Sequence, residues 1–184
     1  MLGPILEGER VRLEPPRVEY FPAYERWFSD MAVTRYLLYR FPFTPKAEAE
    51  WLENVGKDPH QVVWAIVLKH NGRLIGGTGL EHLDWRNRRG ESGIIIGEKD
   101  EWGKGYASET MRLRTHYAFR ELGLETVTTR VVVANEASRR GLEQAGYRQA
   151  GVLRHHWFVD GHWHDAWIGE ILRDEWEATQ EKKP

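Results

Sequence analysis

The chain has 184 residues, 41% hydrophobic and 29% charged, a composition that suits one soluble globular domain with its own core. A net charge of −2 gives no basic field for a nucleic acid partner, and the absence of cysteine excludes disulfides, thiolate metal ligands and a covalent cysteine intermediate. No apolar run approaches the roughly 18 residues of a membrane span, and MLGPILEGER lacks the layout of a signal peptide, so a cytoplasmic protein without membrane attachment is expected.

No repeat or linker composition interrupts the chain, so residues 1–184 are expected to form a single domain ending in a charged tail, EKKP. RVRLEP, at Arg10, alternates and predicts a first strand. EYFPAYERWFSD predicts a short helix with Pro22 in its first turn. TPKAEAEWLENV predicts a second helix, capped by Thr44 with Pro45 at the first helical position. Val62–His70 and Arg73–Leu83 read as strands joined at Asn71-Gly72, a two-residue hairpin signal. After the polar loop DWRNRRG comes a short apolar strand, ESGIIIG, Glu91–Gly97. A helix is predicted from about Ala107 to Leu122, with Met111, Ala118 and Leu122 on one face and Gly123 as its stop. Glu125–Ala134 is rich in β-branched residues and predicts a strand, and NEASRRGLEQAG a short helix between Asn135 and Gly146. GVLRHHWFV and HWHDAWIGEIL flank Asp160-Gly161, a second hairpin signal. Hairpins require antiparallel pairs and the strand–helix–strand passage after Gly97 a parallel one, so the sheet is mixed and the class α/β. Most of the nine tryptophans are expected in the core or in the wall of a cleft.

Between Gly97 and the long helix stands EKDEWGKGYASET, Glu98 to Thr110. Its Gly-x-Gly is either a plain turn or a cradle for phosphate, since glycines before a helix let a diphosphate approach N–H groups that lack internal partners. Two phosphate motifs fail. The Walker pattern is absent, and the dinucleotide fingerprint needs a third glycine where Ser108 stands and an acidic residue at the end of the next strand, whereas Glu125 opens it.

Trp102-Gly103-Lys104-Gly105-Tyr106-Ala107 resembles the acyl-CoA pyrophosphate loop of the GNAT N-acetyltransferases, Gln/Arg-x-x-Gly-x-Gly/Ala, in the WGKGYA form of RimJ/RimL-type members. Three further elements stand in the family's order. Glu91 matches an acidic residue on the strand before the loop, Asn135-x-x-Ser138 to Ala145-Gly146-Tyr147 resembles the N-x-x-[AS]…GF segment, and the closing hairpin is similar to that of RimJ/RimL-type enzymes. The resemblance covers Val62 to Trp176 well and the N-terminal third loosely.

The resemblance implies a GNAT fold: a mixed, mostly antiparallel sheet of about seven strands with a splayed parallel pair, flanked by helices. It implies acetyl-CoA as co-substrate, its pantetheine arm on the backbone of Ile95, Ile96 and Gly97, with an N–H near Ile95 facing the acetyl carbonyl. The pyrophosphate would lie on Trp102, Gly103, Lys104, Gly105, Tyr106, Ala107 and Ser108, with Lys104 adding charge and Asn135 contacting the pantetheine region. Glu98, Asp100 and Glu101 then read as a solvated turn pointing away. Glu91 is either the base, acting through a water, or a strand residue paired with Arg88 or Arg89. Leu142 stands where many relatives have a tyrosine acid, leaving Ser138 as the donor to the thiolate, unless it only opens a helix.

Arg139 and Arg140 either approach the 3′-phosphate or are solvated, and Tyr36, Tyr39 and Trp85 either line the acceptor cleft or pack. His155, His156, His162, His164 and Asp165 raise a metal site, but zinc needs three or four convergent ligands, and no metal is expected. The implied function is direct acetyl transfer to a primary amine, first a protein N-terminus. A small amine, such as an aminoglycoside or polyamine, would need an acidic cleft, and a non-catalytic acyl-CoA sensor is the rival of another class. A homodimer is compatible with the resemblance.

Overall fold

The computed structural model describes residues 1–37 and 42–180. Eight strands form one sheet: β1 (Leu6–Glu7), β2 (Val11–Glu14), β3 (Val62–Leu68), β4 (Leu74–Asp84), β5 (Arg89–Ile96), β6 (Thr126–Val132), β7 (Arg148–Val159) and β8 (His162–Leu172). Their order across the sheet is β1-β2-β3-β4-β5-β6-β8-β7, and among these described strands β5 and β6 are the one parallel pair. The extra strand over the expected seven is β1, a two-residue pairing with β2 at Leu6↔Leu13, too short to show a period.

Among the described residues six α-helices flank the sheet: α1 (Phe21–Phe28), α2 (Met31–Thr34), α3 (Pro45–Lys57), α4 (Tyr106–Arg120), α5 (Glu136–Gln144) and α6 (Arg173–Gln180). Thr44 caps α3 as expected, its hydroxyl accepting from Ala47 N–H at 3.2 Å, and Asn135 caps α5 by accepting from Ser138 N–H at 3.2 Å. The sequence reading lacks α2 and α6. The first is one turn long, and the second has only Trp176 and Ala178 as apolar residues, Trp176 being buried against Phe119 and His116.

The main core lies between the sheet and α4, α5 and α6, where Trp64, Leu80 and Trp167 meet Met111, Phe119, Leu142 and Trp176. A smaller core on the opposite face joins Trp27 of α1 to Ala65, Val67 and Leu74. Burial of these side chains contributes roughly 1.5–3 kcal/mol each before the entropy of ordering is subtracted. Of the nine tryptophans, Trp27, Trp64, Trp167 and Trp176 are buried, Trp157 is half-buried, and Trp51, Trp85, Trp102 and Trp163 are exposed.

The two hairpin signals have different outcomes. Asp160 and Gly161 both have positive φ, 51° and 78°, and close Val159 onto His162 as a two-residue turn. At Asn71-Gly72 only Gly72 has positive φ, and Leu68 N–H bonds Arg73 C=O across a four-residue turn in which Asn71 Oδ1 accepts from Arg73 N–H.

The parallel pair is short. β5 meets β6 at Arg89↔Thr126, Gly90↔Val127 and Glu91↔Thr128, and there the pairing stops. Thr129 Oγ1, donating to Ser92 C=O at 3.0 Å, is the last tie. Beyond it β5 stays on β4 as far as Gly76↔Ile96, while β6 stays on β8 as far as Val132↔Ala166. The sheet therefore splays open between Ser92 and Ile96, just before the glycine loop.

Candidate active site

Three parts meet at this opening: the free edge of β5, the loop 97–105, and the facing N-terminal ends of α4 and α5. Gly103 and Gly105 have φ of 73° and 84°, left-handed values that favour glycine, and a Cβ on Gly103 would meet no atom within 4 Å. Gly105 is the N-cap of α4 and offers no side chain, so the first N–H groups of a fifteen-residue helix point outward uncapped. Such a terminus fits a diphosphate.

A residue far away in sequence holds the loop. Arg10 donates from Nη1 to Lys104 C=O at 2.9 Å and from Nε to Glu109 at 3.0 Å, and its guanidinium lies over the Tyr106 ring. The Glu109 carboxylate also accepts from the N–H groups of Arg10 and Val11, at 2.8 and 3.1 Å, tying β2 to the first turn of α4. Burial opposes its charge, but these donors together hold its carboxyl below the usual carboxylate range.

The acidic run is not a solvated turn. The side chains of Glu98 and Glu101 are only 12% and 9% exposed, and Arg73 pairs with Glu98, Asp100 and Glu101 at 2.6, 2.7 and 3.2 Å. Glu98 further accepts from Arg26 and from the Trp27 indole, and Lys99 pairs with Asp30. Burial would raise the Glu98 carboxyl, yet these partners bring it below the usual range. The negative charge beside the loop is thus neutralised by side chains turned away from the α4 terminus. Lys104 belongs to the same network, its Nζ 2.9 Å from Glu101, so its charge reaches a phosphate only by leaving that partner.

Along β5 the backbone alternates. Ser92 C=O faces β6, whereas Gly97 N–H bonds Ile75 C=O on β4 at 2.8 Å. Ile95, opposite Gly77, likewise faces β4, so the groups on the open edge are those of Ile94 and Ile96. Ile96 C=O already accepts from the Trp102 indole at 2.7 Å, which fixes this tryptophan, 45% exposed, against the strand end. Gly97 has no room for a Cβ, which would fall 2.0 Å from the Trp27 ring.

Glu91 stands where the parallel pairing ends, its side chain 25% exposed. Both its oxygens accept from Arg130, at 2.8 and 2.7 Å, and not from Arg88 or Arg89. Arg130 lies two residues beyond Thr128, the pairing partner of Glu91, and so shares its face. The cross-strand row Glu81–Glu91–Thr128–Glu170–Arg148 runs over this face, and Arg148 pairs with Glu175. Asn135 and Ser138 stand at the first turn of α5, and the Ser138 hydroxyl makes no hydrogen bond to the described residues. At Gly141 α5 passes close to α4, where a Cβ would make ordinary contact with Ser108 Oγ at 3.6 Å. Leu142 is buried in the core.

The remaining candidates lie elsewhere. Among the described residues no three His, Asp or Glu side chains converge as a metal site; His155 sits in a bulge of β7, its N–H on Asp165. Trp85 is exposed with its indole on Pro59 C=O, Tyr36 lies under Arg35, and Tyr39 is outside the described residues. Arg140 reaches Glu136 at 3.7 Å, whereas Arg139 Nε is buried without a partner. Among the described residues no helix is long and apolar enough to cross a membrane.

Known proteins share this arrangement. The profile of the acetyltransferase (GNAT) domain matches residues 10–148. The uncharacterized N-acetyltransferase p20 of Bacillus licheniformis is 27% identical over 175 residues, 93% of this chain and 97% of that protein. YdaF of Bacillus subtilis (strain 168), named as a candidate ribosomal N-acetyltransferase, is 37% identical over 113 residues, 61% of each chain. The spermidine N-acetyltransferase of Vibrio cholerae, solved with CoA and spermine, shares the fold at a TM-score of 0.85 and 20% identity, covering 91% of this chain and 98% of that one. The chain belongs to the GNAT acetyltransferase family and is an acetyl-CoA-dependent N-acetyltransferase.

Proposed function

We propose that the acceptor is the N-terminal amine of a protein, as in the RimJ/RimL type, acetylated in the cytoplasm. The observation that carries this reading is the Glu91–Arg130 pair, which places a cation in the middle of the acceptor face. A protein N-terminus presents one amine and needs no dense negative field, whereas a polyamine would gain from one. The name of YdaF points the same way. The row of Glu81, Glu91 and Glu170 favours the second reading, a small polyamine, which the Vibrio cholerae enzyme acts on.

In this reading the pyrophosphate lies on the uncapped N–H groups of α4 around Gly103 to Ser108, and Arg10 keeps the loop in shape. The pantetheine arm follows the open edge of β5 at Ile94, alongside Ile95, Ile96 and Gly97, and reaches α5 at Asn135. The acceptor nitrogen attacks the thioester carbon, and the carbonyl electron pair moves onto oxygen, facing the Ile94 N–H. As that pair returns, the carbon–sulfur bond breaks. The proton lost by nitrogen passes through a water to Glu91, whose oxygens keep lone pairs free beside Arg130. Ser138 donates to the leaving thiolate and is reprotonated by solvent, to which Glu91 in turn releases the proton it took from the amine. The net products are the acetylated amine and free CoA thiol.

A thiol-release assay over N-terminal peptides, spermidine and aminoglycosides tests the acceptor. The expected result is kcat/KM for the best peptide at least about tenfold above every small amine, a gap of about 1.4 kcal/mol. Spermidine turning over faster than all peptides would overturn the reading in favour of the second.

A further inference from the structure

Arg114 lies on the sheet-facing side of α4 with 0% of its surface exposed. Its Nη1 donates to Thr78 Oγ1 and to Gly93 C=O, both at 2.6 Å, and Thr78 Oγ1 donates to the same carbonyl at 2.8 Å. Among the described residues no carboxylate pairs with Arg114, and its Nε has no partner. A buried guanidinium without a counter-charge is costly, and an apolar side chain of similar length would fill this core without that penalty. The sequence thus keeps a positive charge inside the domain at a place where stability does not ask for one.

Besides Thr78 on β4, Arg114 bonds one peptide unit of β5. In a trans peptide the C=O and N–H point in opposite directions, and the described chain has no cis bond. Gly93 C=O is directed toward Thr78 on β4 and toward Arg114, so the N–H of Ile94 is directed the other way, onto the edge that β6 has left. Two donors on the carbonyl, one of them charged, polarise the unit and make that N–H a stronger donor. The buried charge also favours any negative charge that grows nearby in a medium of low dielectric.

We infer that Arg114 is a positioning residue for acetyl transfer: acting through the Gly93–Ile94 peptide, it aims and strengthens the N–H that faces the thioester oxygen. This rests on the reading that the acetyl group lies at the open edge of β5. Arg114 touches neither substrate, and its role is to raise the charge-stabilising power of an amide that does.

The test is isotope-edited infrared spectroscopy of acetyl-CoA labelled with ¹³C at the acetyl carbonyl, bound to wild type, Arg114→Met and Thr78→Val, with CoA affinity and kcat measured alongside. In wild type the carbonyl stretch falls below that of free acetyl-CoA. In Arg114→Met the fall is smaller, kcat drops about 10- to 100-fold, below the loss for deleting a direct oxyanion donor, and CoA affinity stays within about twofold. Thr78→Val, which keeps shape and removes one of the two donors, moves the stretch and kcat the same way by less, and it carries the test if Arg114→Met does not fold. A wild-type carbonyl shift retained in the variants, or a loss confined to melting temperature or CoA affinity, overturns the role of Arg114. Acetyl-CoA bound to wild type with no shift at all overturns instead the placement of the acetyl group at β5, and the inference with it.

Discussion

The two edges of β5 differ in the way that separates structure from function in this molecule. Toward β4 the strand is paired from Asp84↔Arg89 to Gly76↔Ile96, and its side chains on the α4 face enter the main core. Toward β6 it is paired for three residues and then released. Both edges are the same eight residues, so composition does not explain the difference. The partner strands do: β6 is held along β8 and leaves β5, whereas Thr78 and Arg114 draw the Gly93 carbonyl to the β4 side. An open strand edge invites a new partner, and here the glycine loop at its end selects which one.

If that division is right, changes on the open side cost turnover or binding, and changes on the paired side cost stability. The largest effect is expected at Glu91. Glu91→Gln should lower turnover by about 10²–10⁴, the range for loss of a general base, while acetyl-CoA affinity holds. Its residual rate should climb at high pH, where the acceptor amine deprotonates unaided; a pH–rate profile measures this, and wild-type activity at pH 7 would leave Glu91 a strand residue paired with Arg130.

On the other edge, Leu83→Ala removes a fully buried side chain of β4. It should lower unfolding free energy by about 2–5 kcal/mol in denaturant titrations and leave kcat of the folded enzyme within about twofold. A large kcat loss there would erase the distinction between the edges. Gly105→Val places a branched side chain at a left-handed position, its Cβ 3.2 Å from Nη2 of Arg10, the clamp that keeps the loop in shape. CoA affinity by calorimetry should fall more than about tenfold, at least 1.4 kcal/mol, with some local strain added.

The smallest expected effect sharpens the role of the clamp behind the loop. Glu109 has its carboxyl lowered in the fold, so its stabilisation is present above the unfolded value of about 4.3 and is lost as pH falls through the lower folded value. Glu109→Gln should therefore be less stable than wild type by about 1–3 kcal/mol at pH 7, with the gap closing only in the acid range. Melting curves from pH 7 down to pH 3 check the sign; a gap that is constant over that range would mean the charge contributes nothing.

The sequence makes local features legible and leaves distant ones hidden. The Asp160-Gly161 turn, the Thr44 and Asn135 caps and the Gly103–Gly105 loop are each specified by a few neighbouring residues, and they appear as read. Asn71-Gly72 looked the same on the page but forms a longer turn, because Asn71 bonds Arg73 with its side chain instead of taking a positive φ. The arginines around the site carry no local signal. Arg10, Arg73, Arg114 and Arg130 reach their partners across 21 to 99 positions of sequence. Arg130 meets Glu91 only because the parallel register sets Glu91 against Thr128, a choice that no pattern within either strand encodes. Likewise the alternation that turns Ile95 and Gly97 toward β4 depends on where the hairpin register falls.

In the proposed function acetyl-CoA occupies the open edge of β5 and the α4 terminus. Amide hydrogen exchange, followed by mass spectrometry with and without saturating CoA, tests it most directly because it reads the backbone groups named here. The expected result is slowed exchange in peptides covering residues 94–108 and 135–138, with the turns at 69–72 and 160–161 unchanged. Unaltered exchange over 94–108 at saturating CoA, with protection confined to the β7–β8 hairpin, would contradict it.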